Sequence, residues 1–462
     1  MTPGLHSIPK APGALPLIGH AWPLLRHPLD FVTSLRDTGP LVHVNIGTLP
    51  IIFVTTADLA HEVMVTKAHA VEKGRLFDRV RVLVGDGLAT ASSDVHRRHR
   101  RLMQPAFHHK QIAHYAEIMS DNALALAESW RPGQRLAIEQ VMAKLTINTL
   151  AATLFATDIA QPAVTSVRRN LPIILKAMLL RAVQPPILDH LPIPSNRCFD
   201  AAAAELRSVI DNVIAATRRR PDHHMPDLLS TLLAARDADT GDALTDTEVR
   251  DELVTILFAG TETTASTLAW TFYELSQHPE VEQRLLQEIN TVVGTRTVTY
   301  KDIPQLKYCR RVLDEVIRLH GVTLLMRRTT APLELAGITI PPGTEIAFSL
   351  YALHKDPDLY PNPQRFDPQR WLSADAKSLP HWAFSPFGAG SRRCIGDAFS
   401  WTEATITLAT VLPRWRLRPA SGCSPQEATS AMPHPDHLPM IAEARLSAQA
   451  PEGRQPGSER PL

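Results

Sequence analysis

The stretch Phe387-Gly-Ala-Gly-Ser-Arg-Arg-Cys-Ile-Gly396 decides how the rest of the chain is read. It sets one cysteine, Cys394, at the end of a loop of small residues. The following residues, DAFSWTEATITLATVL, contain no breaker until Pro413, so they predict a helix. Cys394 is therefore expected at or just before a helix N-terminus. Unpaired N–H groups and the helix dipole there favour an anion, here a thiolate. Arg392 and Arg393 add positive charge. Such a thiolate can be a nucleophile, a redox thiol or a metal ligand, and the loop alone leaves all three open.

Working outward, the 462 residues allow one large domain or a few average ones, and 44% hydrophobic residues can bury a sizeable core. Aromatics are few, at 6%, and Ala and Leu abundant, which favours helix. A formal charge of +1 gives no global argument for a nucleic-acid partner. Cys198, Cys309, Cys394 and Cys423 form no CxxC pair, a pattern of free thiols in a reducing interior. The N-terminal stretch 1–25 is too interrupted by prolines for a signal peptide or membrane span. The apolar run from Leu171 carries Lys176, Arg181 and prolines, so no integral membrane segment is expected. Residues 447–462 are polar and proline-rich and read as a disordered tail.

Leu41 to Thr55 reads as a β-hairpin, and ADLAHEVMV as a short helix. Residues 70–95 read as a loop with short helical pieces. Helical patterns then dominate from about Val95 to His320. The longest predicted helix runs from about Asp246 to Gln277, opened by a Thr245–Glu248 capping box and closed by Pro279. From Leu333 the pattern alternates and turns at glycines, as short strands do. Proline-rich loops, the cysteine loop and a final helix follow. One mainly α domain over residues 1–446, with a minor sheet region, is the simplest reading.

Three further segments carry chemistry. In the long helix, Phe258 and Ala259 are followed by Gly260, Thr261, Glu262, Thr263 and Thr264. A carboxylate and hydroxyls in an apolar helix are costly to bury unless hydrogen-bonded. Gly and Thr there also invite a local bulge. The plain reading is a solvated face or internally satisfied hydroxyls; the functional one is a proton relay through Glu262 and Thr263, facing a cavity. Glu315 and Arg318 lie at i and i+3 on a helix, and Arg370 could complete a buried ionic cluster with them. In HRRHRRLMQPAFHHK, His96 and Arg100 lie one turn apart on one face. That run could be a solvated face, an anion patch or a site for a cofactor's carboxylates; a histidine metal site is weak because no acid lies among these residues.

Together these segments resemble the cytochrome P-450 family of haem-thiolate monooxygenases, in the family's order and over nearly the whole chain. FGAGSRRCIG matches the haem loop pattern FGxGxRxCxG, and AGTETT (Ala259–Thr264) the oxygen-activation segment. EVIR (Glu315–Arg318) matches the ExxR helix, and PQRW (Pro368–Trp371) stands where PERF is usual. The resemblance implies a helical bundle around haem b (iron protoporphyrin IX) with small β-sheets, and Cys394 as the iron ligand. It implies that His96, Arg100, Arg327 and Arg392 reach the haem propionates, His96 standing where Trp is common. Arg328 is a neighbouring candidate for the place of Arg327. Ala259, Gly260, Phe387 and Gly396 would lie against the cofactor, and Glu262 and Thr263 would relay protons for O2 use. HGVTLL replaces the usual proline pair, and Phe258, Val322, Leu324 and Leu325 would line the substrate pocket, with Phe77–Ala91 and Leu171–Leu191.

The resemblance further implies a soluble, cytoplasmic, bacterial monomer oxidising a hydrophobic small molecule, with terpenoids the nearest class in the HGVTLLMRRTT segment. Electrons would come from a separate ferredoxin and its NAD(P)H-dependent reductase, docking on a basic face that includes some of Arg97, Arg98 and Arg101. The alternatives are a peroxide-using haem-thiolate enzyme and a non-catalytic haem-thiolate sensor; the Glu262–Thr263 pair argues against both.

Overall fold

A computed structural model describes residues 4–445, apart from 156, 184–187, 190, 220–226, 238, 373–378, 381, 430 and 431 and the side chains of 157–160, 175, 178–180, 182 and 183. The expected disordered tail at 447–462 lies outside these.

The central helix spans Asp246–Gln277. Its 32 residues give a rod of about 48 Å at 1.5 Å per residue. The capping box is formed: the Thr245 hydroxyl accepts from the Glu248 N–H at 3.2 Å, and the Thr245 N–H donates to Glu248 Oε2 at 2.8 Å. Pro279 opens the next helix, Pro279–Val292. The expected bulge at Gly260–Thr264 does not form. The Thr261 and Thr263 hydroxyls donate to the carbonyls of Leu257 and Ala259, both at 2.8 Å, without opening the helix. Gly260 instead gives room to a neighbouring helix. A Cβ on it would stand 3.0 Å from Leu150 of helix Ile138–Leu154, which packs on this face.

Helices Ile138–Leu154, Pro194–Arg218, Lys307–Leu319 and Asp397–Val411 pack around this rod. They share one large apolar core. The sheet region stands apart, with smaller cores of its own. The predicted hairpin is β1 (Leu41–Ile46) and β2 (Leu49–Val54). With β3 (Val71–Lys73), β5 (Leu325–Thr329) and β8 (Glu345–Phe348) it builds a sheet of order β1-β2-β8-β5-β3. β6 (Leu333–Leu335) and β7 (Ile338–Ile340) form a separate pair.

The reading of the C-terminal part needs correction, because the chain does not end on the helix after Cys394. Four strands follow. β9 (Trp415–Pro419) and β12 (Pro439–Ala444) join β4 (Arg135–Ala137), while β10 (Glu427–Thr429) pairs with β11 (Pro433–Pro435). These strands are three to six residues long, and β4 pairs across some 300 residues of sequence. Neither feature leaves a local pattern.

Candidate active site

Cys394 stands three residues before Asp397, the first residue of helix Asp397–Val411. Its N–H donates to the Phe387 carbonyl at 2.9 Å, closing the loop, and the Gly396 N–H is directed at the sulfur. Gly388 and Gly390 have φ of 70° and 67°. A Cβ on Gly390 would meet the Met64 carbonyl oxygen at 2.3 Å, so only glycine allows this loop to lie on the segment Glu62–Thr66. The sulfur opens onto a cavity of about 350 Å3 and is otherwise enclosed. Burial pushes the thiol up, against the Gly396 N–H and Arg100, which favour the thiolate.

Ala259, Gly260 and Thr263 of the central helix line the cavity, as do His96, Arg100, Arg327, Phe387, Arg392 and Gly396. Glu262 is half-buried and is not among the lining residues. Thr264 also lines it, with its hydroxyl 3.0 Å from that of Ser400. Val322 and Leu325 are lining residues too, but Phe258 and Leu324 are not. Phe258 packs on the main helical core, because the cavity stripe of the helix runs through Ile256, Ala259, Gly260 and Thr263. Leu324 packs on a sheet core: strand alternation sends Leu325 and Arg327 to the cavity, and Leu324 and Met326 away. From the stretch Phe77–Ala91, Phe77, Leu88 and Ala89 line the cavity. None of the lining residues comes from Leu171–Leu191, part of which lies outside the described residues. Leu150, Leu154, Leu228 and Met432 are lining residues that sequence reasoning missed, since they arrive from distant segments.

The same alternation separates Arg327 from Arg328. Arg328 points away from the cavity and donates to Glu345 and Asp78, both at 2.7 Å. Arg327 is buried and donates to the Met326 carbonyl at 2.8 Å. A further cation went unnoticed in the sequence. Lys73 of β3 sits directly opposite Arg327 of β5 and also lines the cavity. Like charges facing across a ladder are destabilising. On the other face of the same strands, Glu72 stands opposite Arg328 with the favourable signs. Arg392 donates to the Ala91 carbonyl at 2.9 Å but leaves Nη2 buried without a partner.

Electrostatics follow from this crowding. Burial lowers Lys73 well below the usual lysine range, with Arg327 and Arg392 adding to the shift. Burial brings Arg327 and Arg392 each down to about 10. Burial and the neighbouring Arg392, Arg100 and Lys73 hold His96 down at about 3, so it is a neutral imidazole at pH 7. Among the described residues, the charged side chains lining the cavity, Lys73, Arg100, Arg327, Arg392 and Arg393, are all basic. A cofactor with carboxylate arms fits this cluster, and a thiolate-ligated iron fits Cys394 at the cavity wall.

Glu315, Arg318 and Arg370 do meet. Arg318 donates to both oxygens of Glu315, at 3.0 and 2.9 Å, and Arg370 Nε to Oε1 at 3.3 Å. Glu315 and Arg318 are wholly buried. The expected docking arginines fare differently. Arg98 is paired with Glu248 at 2.7 Å, and Arg101 with Asp237 and Asp239 at 3.1 and 2.5 Å. Arg97 remains largely exposed, 3.5 Å from an equally exposed Asp94.

Comparisons with known proteins agree with this geometry. The family model for cytochrome P450 matches residues 9–438. A cyclooctat-9-en-7-ol 5-monooxygenase of Streptomyces melanosporofaciens is 42% identical, over 94% of this chain and 95% of its own. A pentalenene oxygenase of Streptomyces avermitilis is 37% identical, over 95% and 98%. The crystal structure of the haem domain of cytochrome P450DA superposes with a TM-score of 0.84 at 25% identity, over 95% of this chain and 98% of that one. The chain belongs to the cytochrome P450 family and is a haem monooxygenase of that family. Among the described residues, no helix is long and apolar enough to cross a membrane.

Lys73 then gives a direct test of the cation cluster. Losing a charge-assisted hydrogen bond costs about 1.5–3 kcal/mol. Lys73→Ala is expected to release haem to an apomyoglobin acceptor about 10- to 100-fold faster than the parent. An unchanged release rate would show that Lys73 does not hold the cofactor.

Proposed function

We propose that the protein hydroxylates a neutral, polycyclic terpenoid, using haem b ligated by Cys394. The observation that carries this reading is the division of the cavity lining: cations grouped around Arg327 and Arg392, and an otherwise mostly apolar wall without a carboxylate among the described residues. His96, Lys73, Arg100, Arg327 and Arg392 would hold the propionates. Bound there, the haem supplies the activation of O2 at iron. Cys394 would give its thiolate to the iron, with the Gly396 N–H tempering its charge. The Thr263 hydroxyl, at the cavity surface, would have to turn from the Ala259 carbonyl to pass a proton, and Glu262 beside it would connect that hydroxyl to solvent. Phe77, Leu88, Ile256 and Leu325 would exclude water and orient the substrate by shape. The names of the two Streptomyces relatives support a terpenoid rather than a fatty acid. Electrons would be delivered by a ferredoxin and its reductase; Arg97 is the most exposed member of the predicted docking group, while Arg101, also exposed, is engaged by Asp237 and Asp239.

The test is a spin-state titration of the haem-loaded protein with cyclooctat-9-en-7-ol, pentalenene and a long-chain fatty acid, followed by turnover with O2, ferredoxin and reductase. The terpenoids are expected to shift the spin state and give oxygenated products. Tighter binding of the fatty acid would overturn the substrate class. Equal turnover with peroxide alone would overturn the relay.

A further inference from the structure

The cavity wall at Leu88 and Ala89 belongs to a loop, Gly85–Ala91, that lies directly on the central helix. A Cβ on Gly85 would stand 1.9 Å from Asp251 Oδ2, and one on Gly87 2.1 Å from Thr255 Oγ1. Two glycines therefore let the backbone touch the helix. Side chains of the helix then hold it: the Asp86 N–H donates to Asp251 Oδ2 at 3.1 Å, and the Leu88 N–H to Glu252 Oε2 at 3.0 Å.

Glu252 is wholly buried. Its other oxygen meets His99 Nδ1 at 2.7 Å, and His99 is itself buried. His99 Nε2 lies 3.2 Å from Glu248 Oε1, which also accepts from Arg98 at 2.7 Å. Glu248 is the acid of the capping box. One continuous line thus runs from the start of the central helix through Glu248, His99 and Glu252 to the Leu88 N–H. Burial alone would lower the His99 pKa; the hydrogen bonds and charges of Glu252 and Glu248 outweigh it and raise it. Buried ionic groups are poor sources of net stability, and fixing a geometry is their better-attested use. What this line fixes is the wall beside Thr255 and Ile256, one turn before Ala259.

We infer that the His99–Glu252 pair positions the Leu88–Ala89 wall and thereby sets which carbon of a rigid apolar substrate is presented for oxidation. Both are positioning residues, and neither is among the residues lining the cavity. The inference rests on reading this cavity as the substrate site.

The test uses the haem-loaded variants Glu252→Gln, His99→Gln and Leu88→Ala with cyclooctat-9-en-7-ol as probe. Its Kd by spin-state shift and the ratio of its oxygenated products are measured. Imidazole affinity for the iron and the reduced carbon monoxide band serve as controls. The first two variants are expected to weaken probe binding about tenfold, the size of losing one apolar contact, and to spread oxidation over more positions. Imidazole affinity and the band should stay as in the parent. In a Leu88→Ala background, Glu252→Gln should change the product ratio far less. The inference fails if probe affinity and product ratio are unchanged, or if the Glu252→Gln effect persists in full without Leu88. It also fails if imidazole affinity and the band fall in step with probe binding, which marks a general structural role. A parent protein without the thiolate-type band would sink the functional reading beneath it.

Discussion

Cys394→Ser is expected to remove the thiolate-type band of the reduced carbon monoxide complex and to cut oxygenation on the order of 10³-fold, about 4 kcal/mol of barrier. The argument is chemical rather than steric. Serine fits the loop, because the Cys394 backbone bond to Phe387 and the positive-φ glycines at 388 and 390 do not depend on sulfur. The hydroxyl does not ionise near neutral pH, whereas a thiol at a helix start with an N–H aimed at it can. Without an anionic ligand the iron loses the electron donation that favours O–O cleavage. Thermal unfolding of the haem-free protein should be nearly unchanged, while the spectrum and activity are lost. A variant that keeps the parent band would show that another group ligates the iron, and the assignment of this cavity would fall.

The parts of the fold that were legible in the sequence are those with a local cause. The central helix was read to its ends because Thr245, Glu248 and Pro279 are short-range signals. The hairpin at Leu41–Val54 was visible from its β-branched strands and turn. The strands beyond the cysteine helix were not, because they are short and find their partners far away. The bulge expected at Gly260–Thr264 failed for a specific reason. Threonine hydroxyls can bond to the preceding turn within a regular helix, and Gly260 serves the approach of Leu150.

The site divides in the same way. Of the residues on recognisable motifs, His96, Arg100, Ala259, Gly260, Thr263, Arg327, Arg392 and Cys394 line the cavity, Glu262 does not, and Glu315, Arg318 and Arg370 meet in a cluster of their own. Phe258 and Leu324 missed the cavity by one position in their elements' periods. Lys73 carried no motif; its place at the cavity follows from a register that sets it against Arg327. The run HRRHRR left open a solvated face, an anion patch or a site for a cofactor's carboxylates, because the acids that pair with Arg98, His99 and Arg101 lie 136–153 residues further on. Charge partners set by the fold cannot be seen from charge patterns along the chain.

Glu315→Ala should lower stability by about 3–5 kcal/mol, the cost of leaving the buried Arg318 charge without its carboxylate. A typical domain has only about 5–15 kcal/mol to lose. Arg318 is wholly buried and would keep only its carbonyl partners, those of His354, Pro363 and Arg365 at 3.0, 2.7 and 3.2 Å. Arg370 would keep the carbonyls of Pro361, Asn362 and Arg365. These carbonyls belong to the segment 354–365, which in turn supports the approach to the cysteine loop. His354 Nε2 accepts from the Ser385 N–H at 3.1 Å, and Tyr360 donates to the Ala383 carbonyl at 3.0 Å. The damage should therefore spread to the haem side. A lower denaturant midpoint is expected together with weaker haem retention, although Glu315 is not a lining residue. Replacing Glu315 and Arg318 together by methionine should recover only part of the loss. Apolar side chains remove the buried Arg318 charge, but they leave the His354 and Pro363 carbonyls without their arginine donor and take Glu315 away from Arg370. Equal midpoints for the parent and Glu315→Ala would show that the cluster holds nothing, and full recovery in the double variant would show that only the charge mattered.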